Sequence, residues 1–403
     1  MWQEAVAPYV KAGKLTAVGV VQEQHPDRTR LYRQWRELDW PIYVDSLNVI
    51  DHVTLVPIPM AIDEAGVIVD AQFRPQELGD FMKRAPNRLE VAADTNRVPE
   101  PDLEGLASGA EKLDAPEAWR NLGTALFHHG SARELDRAVA ALEKAAKLDA
   151  ENGPTQFALG AVLRRRYESP LRRPGDAQRA VEHWGKALEI DPNHYIRRRR
   201  LQQYGPRLDK PYNFYFWVSE ARKDILARGD TPHLLTAEPM GSEVAPPQRR
   251  AENVAAGALA NPDPRGRIHR DEEGLVVIDT LATPARVQPG HRLRGRITLR
   301  LNDSIQPMWN NEADNLEVWV GLKDGMTLVE HQLSFPNPET PETRELRQLE
   351  FEVALADNLA PGAVKLEAYA LYYVCEEAGG VCYYLRQDFP ITFIVDKEAP
   401  TLR

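Results

Sequence analysis

Covalent chemistry in this chain rests on its only two cysteines, Cys375 and Cys382. They lie in the segment Tyr372-Tyr373-Val374-Cys375-Glu376-Glu377-Ala378-Gly379-Gly380-Val381-Cys382-Tyr383-Tyr384, where two strand-like runs flank a Gly-Gly turn. That pattern sets the cysteines on opposite arms of a hairpin. Facing cysteines there could bridge if their Cα atoms come within about 4.4–6.8 Å. Such a pair is either an exchangeable dithiol, or a static bridge or two buried thiols. Glu376 and Glu377 beside it should raise the thiol pKa, which disfavours a fast nucleophile.

Other reactive residue types lack a partner pattern. His128 and His129 are adjacent on a helix and cannot both face one site, so they read as a surface and groove pair rather than metal ligands. Arg197–Arg200 reads as a solvated helix face, able to dock acidic partner segments. Trp309-Asn310-Asn311-Glu312 reads as a polar loop whose aromatic either packs locally or lines a binding edge. No Gly-rich phosphate loop, His-Glu-x-x-His or Gly-x-Ser-x-Gly is present. No catalytic residue, metal or cofactor is therefore assigned. A formal charge of −10 argues against nucleic-acid binding, which needs a basic footprint. No run of about 18 apolar residues predicts a membrane span, and the opening Met-Trp-Gln-Glu-Ala-Val does not read as a signal peptide. Two cysteines fit a cytosolic protein, or an exported one with a single bridge.

The elements that must position these residues fall into three kinds, as 403 residues lead one to expect from a multidomain chain. Residues 1–90 read as α/β. Trp2 to Ala12 is helical and stops at Gly13, Leu15–Val21 is an apolar run expected of a strand buried on both faces, and Arg28–Leu38 is a helix. A short strand Ile42–Val44, a hairpin around Asp63–Gly66 and a helix Pro75–Arg84 follow. Residues 91–114, rich in Glu, Pro and Asp, read as a linker. Residues 115–228 read as helical throughout, and 229–272 as a second linker. From there to residue 399 the apolar period becomes two, in Ile297–Leu301, Leu316–Val320, Leu349–Val353 and Val364–Leu371, which predicts an all-β sandwich over 273–399.

Two helical segments match each other. Trp119, Leu122, Gly123 and Leu126, then Ala138, Leu142 and Ala145, correspond to Leu159, Gly160 and Leu163, then Ala180, Trp184 and Ala187, closed by Pro192. The glycines and alanines sit where paired helices must approach closely. The pattern resembles the tetratricopeptide repeat, which implies stacked helix pairs and a protein or peptide partner in a concave groove. The first pair carries about three extra residues after Gly130 against that family's 34-residue period. The second carries a longer insertion around Tyr167–Pro174. Tyr195–Gln203 and Phe214–Ala227 are expected as capping helices.

The segment Val56-Pro57-Ile58-Pro59-Met60-Ala61-Ile62-Asp63-Glu64-Ala65-Gly66, in the order helix, strand, helix, strand, hairpin, helix, resembles the thioredoxin-like fold, especially its TlpA/ResA-type branch. The resemblance implies a cis Val56–Pro57 bond and a Cys-x-x-Cys at the head of the first long helix. This chain carries no such motif; its place would lie before Met1, so the expectation is a chain shortened at its N-terminus, the alternative being a degenerate domain that never had the motif. The aromatic–Cys–acidic loop–Cys–Tyr segment resembles the N-terminal domain of the DsbD thiol:disulfide interchange family, an immunoglobulin-like sandwich, although the loop of six residues is a little longer than is usual there. That resemblance implies a redox role for Cys375 and Cys382. Together the two resemblances imply a periplasmic or cell-envelope protein of thiol-disulfide exchange, against the alternative of a non-catalytic interaction scaffold.

Overall fold

The computed structural model describes residues 2–22, 26–45, 47, 58–84, 100–202, 204, 217–235, 261–328 and 331–400. It is mixed α/β, with helical repeats and a β-rich C-terminal region. Two compact units form, Met1–Ala150 with Ala221–His233, and Glu151–Glu220 with Leu234–Arg403.

In the first unit α1 (Trp2–Lys11) is stopped by Gly13, whose φ of 67° suits a residue without a Cβ. Strand β1 (Gly19–Val21) pairs in parallel with β2 (Ile42–Val44), across α2 (Pro26–Arg36). The expected strand over Leu15–Val21 is thus shorter, and it is not buried on both faces: Val18 and Val20 are exposed. Among the described residues β1 has a single three-residue partner strand, and the face that carries Val18 and Val20 is not covered. Strands β3 (Ala61–Ile62) and β4 (Ile68–Asp70) form the expected hairpin. Its turn is held by Asp63 Oδ1, which accepts from the N–H groups of Ala65 and Val67, and by Gly66 at φ 80°. The expected helix over Pro75–Arg84 is a 3-10 turn, Pro75–Glu77, followed by α3 (Leu78–Phe81). Val6, Ala61, Phe73 and Leu78 form a small core under these elements. Val56 and Pro57, the bond expected to be cis, lie outside the described residues. The cis bond that is described is Thr283–Pro284.

Composition misled at residues 91–114. Leu103–Leu113 is a helix, α4, not linker. Asp102 caps it by accepting from Gly105 N, and Leu103, Leu106 and Ala110 fall on one face at helical spacing. Helices α5 (Pro116–His129) and α6 (Leu135–Leu148) then pair through Gly123, where a Cβ would stand 2.5 Å from Leu142 Cγ and 3.2 Å from Ala138 O. Residues Ala221–His233, including most of α10 (Trp217–Ala227), pack on α2: Trp35 Nε1 donates to Asp224 at 2.8 Å, and Arg228 donates to the carbonyls of Trp35 and Gln34.

The second unit repeats that pairing. Helices α7 (Gly153–Tyr167) and α8 (Asp176–Ile190) meet at Gly160, where a Cβ would stand 2.5 Å from Trp184 Nε1 and 2.9 Å from Ala180 O. The insertion between them is anchored by a buried ion pair, Arg166 to Asp176 at 2.6 Å. Helix α9 (Tyr195–Gln202) follows. Arg197 and Arg200 on it are buried, not solvated, which corrects the expected exposed face. Arg197 Nη1 donates to Ala187 O at 3.3 Å, and the Arg200 guanidinium lies 4.9 Å from the Trp184 ring centroid. Four arginines in eight helical residues looked solvated because only packing shows which of them meet acceptors or rings.

Two sheets pack around one core in the same unit. The first has the order β10 (Met326–Leu328), β13 (Arg347–Leu355), β7 (Arg292–Leu301), β5 (Val276–Thr283). The second follows β11 (Gln332–Phe335), β9 (Leu316–Val320), β14 (Gly362–Cys375), β15 (Cys382–Val395), β6 (Arg286–Val287), with β8 (Met308–Asn310) on β14 and β12 (Glu342–Thr343) on β8. Along β7, Leu293, Ile297, Leu299 and Leu301 face the core between the sheets and alternate with Arg294, Arg296, Thr298 and Arg300 on the other face, of which the first three are buried as well. The end of the second expected linker also departs from expectation. Residues 261–271 lie on this region, with Asp263 paired to Arg386 at 2.8 Å and Tyr372 Oη donating to Asp271 at 2.8 Å.

Candidate functional site

The two cysteines meet at the free end of the longest hairpin. Strands β14 and β15 keep unbroken register from Gly362↔Val395 to Cys375↔Cys382, so the cysteines are the last cross-strand pair. They form a disulfide with Cα atoms 3.8 Å apart, closer than the range expected from sequence. Beyond it the chain turns through Glu376–Val381, closed by Glu376 N–H donating to Val381 O and Gly380 N–H to Glu377 O, with Gly379 at φ 68°. The apolar period of β14 explains the placement: Tyr372 and Val374 point into the core, and the polar Glu-Glu-Ala-Gly-Gly stretch has nothing to bury.

The two sulfur-bearing residues differ in environment. Cys375 is fully buried, and β8 covers it through the pair Cys375↔Met308. Cys382, on the outer arm, is exposed. Trp309 beside Met308 is fully buried rather than in a loop. Its indole N–H donates to Glu345 O at 2.9 Å, its ring meets Tyr372 edge-on at 6.0 Å, and the Arg347 guanidinium lies 4.4 Å from its centroid. The Asn-Asn-Glu that follows it hid a three-residue strand. Glu342, on β12, accepts from Gly379 N–H with both carboxylate oxygens at 3.1 Å and so tethers the turn. Neither Met308 nor Glu342 was legible as part of this site, because each reaches it through pairing between strands distant in sequence.

Tyrosines flank the bridge. Tyr373 and Tyr384 stack at 4.5 Å, and Tyr383 Oη donates to Glu376 at 2.6 Å. Burial, then Tyr373 and the carboxylates of Glu317 and Asp314, push the Tyr384 phenol up to about 12. The bond to Glu376, then burial and the charges of Glu376 and Glu273, raise Tyr383. Burial first, then Asp271, raises Tyr372. These phenols stay neutral at physiological pH. The arrangement supports one kind of covalent chemistry, attack by an external thiolate on the disulfide.

The remaining sequence-derived positions fall in helix packing. Leu122, Gly123, Ala138 and Ala145 lie buried between α5 and α6, while Trp119 is half-buried, its indole N–H donating to Asp114 at 2.9 Å. Gly160, Ala180, Trp184 and Ala187 lie buried between α7 and α8, and Pro192 is exposed beyond α8. His128 and His129 are both exposed. Among the described residues no cluster of His, Cys, Asp and Glu has the makings of a metal site. No helix there is long and apolar enough to cross a membrane.

A small concavity of about 60 Å³ lies where α7 meets β5, β7 and β13, lined by Arg164, Arg296, Arg300, Tyr167, Glu168 and Asp279 among others. Arg164 bonds Glu168 at 2.6 Å, Arg296 pairs with Glu350, and Arg300 lies 3.6 Å from Asp279. Guanidiniums and rings alternate as Arg300, Tyr167, Arg164, Tyr204, Arg296, at 4.4–5.7 Å. Each cation has a carboxylate, so the concavity is a packed joint of helix and sheet.

No family model and no curated protein matches this chain. Among solved structures, MamA aligns at 21% identity over 32% of this chain and 66% of its own, with a TM-score of 0.21. A putative membrane-anchored protein from Corynebacterium diphtheriae aligns at 13% identity over 34% of this chain and 39% of its own, TM-score 0.21. The sporulation control protein Spo0M from Bacillus subtilis aligns at 17% identity over 30% and 50%, TM-score 0.15. The chain spans less than two thirds of the length of each of these three. At such TM-scores the alignments carry no argument about its activity.

Proposed function

We propose that this chain is a partner-binding scaffold of helical repeats that carries an exchangeable disulfide, Cys375–Cys382. The observation that carries the reading is the asymmetry of the bridge: Cys375 is buried under β8, while Cys382 stands exposed on the outer arm of the hairpin. Thiol exchange requires that a thiolate reach one sulfur of the bridge, and of the two residues Cys382 is the one exposed to solvent. A partner thiolate attacks Cys382, and Cys375 leaves.

The finer assignments belong to the same proposal. Close approach at Gly123 and at Gly160, each against a carbonyl oxygen of the paired helix, supports tetratricopeptide-type repeats. The order helix, strand, helix, strand, hairpin, helix over residues 1–90 supports a thioredoxin-like region without its Cys-x-x-Cys. Two sheets with a cysteine hairpin at one end, over 273–399, support a DsbD-like, immunoglobulin-like region. A cell-envelope location follows from those two resemblances. The partner is a protein or peptide, bound by the repeats.

Titration of the full chain against glutathione buffers, followed by alkylation and mass analysis, tests the redox part. We expect reversible reduction of the bridge with helical and sheet structure retained. A bridge that stays oxidised until the chain is unfolded leaves the second reading, a non-catalytic scaffold with a static bridge.

A further inference from the structure

Within its own sequence, the end of the hairpin that presents Cys382 carries acidic charge only. No lysine or arginine occurs between Lys365 and Arg386, whereas Glu376 and Glu377 follow the buried cysteine directly. A third carboxylate, Glu342, is brought to the same turn by β12, 3.1 Å from Gly379 N. The cations on neighbouring strands are engaged elsewhere: Arg386 with Asp263 and Asp388, Arg344 with Asp303, and Arg347 with Glu345. Of the two tyrosines that follow Cys382, Tyr383 is raised first by its hydrogen bond to Glu376, and Tyr384 first by burial, with nearby carboxylates adding to both.

We propose that Glu342, Glu376 and Glu377 select the reaction partner of the Cys375–Cys382 bridge by charge, favouring a dithiol set among basic residues over a neutral or acidic one. The proposal rests on the exchange reading above and names the class of partner for it. In the reaction a partner thiolate attacks Cys382 Sγ, the bond to Cys375 breaks, and Cys375 leaves as a thiolate that takes a proton from water. The partner's second thiol then attacks the mixed disulfide and releases Cys382. The bridge gains two electrons and the partner is oxidised to its own disulfide.

The charge effect follows from Coulomb's law. An attacking thiolate is already negative, and each glutamate about 10 Å away in water slows a unit negative charge roughly twofold at low salt. Three together multiply to roughly an eightfold change in rate per unit charge on the attacking molecule. The effect should shrink severalfold by about 0.5 M salt, where the screening length is well under 10 Å.

The test measures mixed-disulfide formation on the full chain with cysteamine, 2-mercaptoethanol and mercaptoacetate, by acid quench and intact mass. Rate constants are expressed per thiolate. The expected order is cysteamine, then 2-mercaptoethanol, then mercaptoacetate, several-fold apart at each step in low salt and compressed in high salt. The double variant E376Q/E377Q should narrow the spread. The salt series on the unaltered chain tests the same point without any substitution. Equal rates for the three thiols, or a spread that ignores salt, overturn the charge selection while leaving thiol exchange standing. No reaction with any of the three overturns the exchange reading, and this proposal with it.

Discussion

Substitution of Gly160 by alanine tests the close helix approach that defines the second repeat. An added Cβ would stand 2.5 Å from Trp184 Nε1, 2.6 Å from Trp184 Cδ1 and 2.9 Å from Ala180 O. The carbonyl belongs to the backbone of α8 and cannot swing aside. The indole is fully buried, and its N–H donates to Phe157 O at 3.1 Å. Overpacking of this kind costs about 1–3 kcal/mol, and loss of the indole hydrogen bond adds about 1 kcal/mol. Against these stands about 1 kcal/mol from the better helix propensity of alanine. The net expectation for G160A is a destabilisation of about 1–3 kcal/mol. Gly185, on the same helix pair, supplies the contrast, because nothing lies within 4 Å of where its Cβ would be. G185A should therefore stabilise by up to about 1 kcal/mol, through propensity alone. Urea unfolding with the disulfide intact, read together with hydrogen exchange of α7 and α8 amides, measures both. The slope of the transition must be unchanged for the midpoints to be compared. Equal effects of the two substitutions, or a stabilising G160A, would refute the close-approach reasoning.

Three further outcomes are expected. Replacing Arg166 with methionine leaves Asp176 charged and buried without its 2.6 Å partner, and should cost about 3–5 kcal/mol; a urea midpoint close to that of the unaltered chain would show the pair to be dispensable. Replacing Trp309 with alanine empties a fully buried site on β8, next to Met308, which pairs with Cys375. It should cost about 3–5 kcal/mol and speed reaction of the bridge with small thiols, and unchanged kinetics would mean that β8 does not shield it. Burial first, then the neighbouring Tyr373 and carboxylates, push the Tyr384 phenol up to about 12. Because the raised group is neutral when protonated, its contribution to stability is present below pH 10 and is lost as pH rises towards 12. Difference absorbance near the tyrosinate band should lose one late-titrating phenol in Y384F, and an unaltered curve would contradict the burial assigned to it.

The sequence by itself determined the kinds of element and their order. The two helix-pair patterns, the hairpin at Asp63–Gly66 and the period-two strands could be read because one residue's neighbours along the chain carry the signal: 3.6 or 2 residues per repeat, a turn glycine, a small residue at a crossing. It also brought the two cysteines together, since a Gly-Gly turn flanked by strands is a local feature. Helix α4 was legible in principle from Asp102 and from the spacing of Leu103, Leu106 and Ala110, but the surrounding Glu, Pro and Asp obscured it.

Only the tertiary structure decided burial and pairing between distant segments. Whether Arg197 and Arg200 face water or a tryptophan, whether Trp309 sits in a loop or a core, and which residue covers Cys375 all depend on atoms far away in sequence. The same holds for the difference between the two cysteines. Their flanking sequences are similar, a strand with tyrosines on one side and the turn on the other, and only β8, which pairs with β14 and not with β15, distinguishes the buried Cys375 from the exposed Cys382. Periodicity along a strand reports which side chains share a face. Which face is covered, and by what, is settled by the packing of segments that the chain brings together from tens of residues apart.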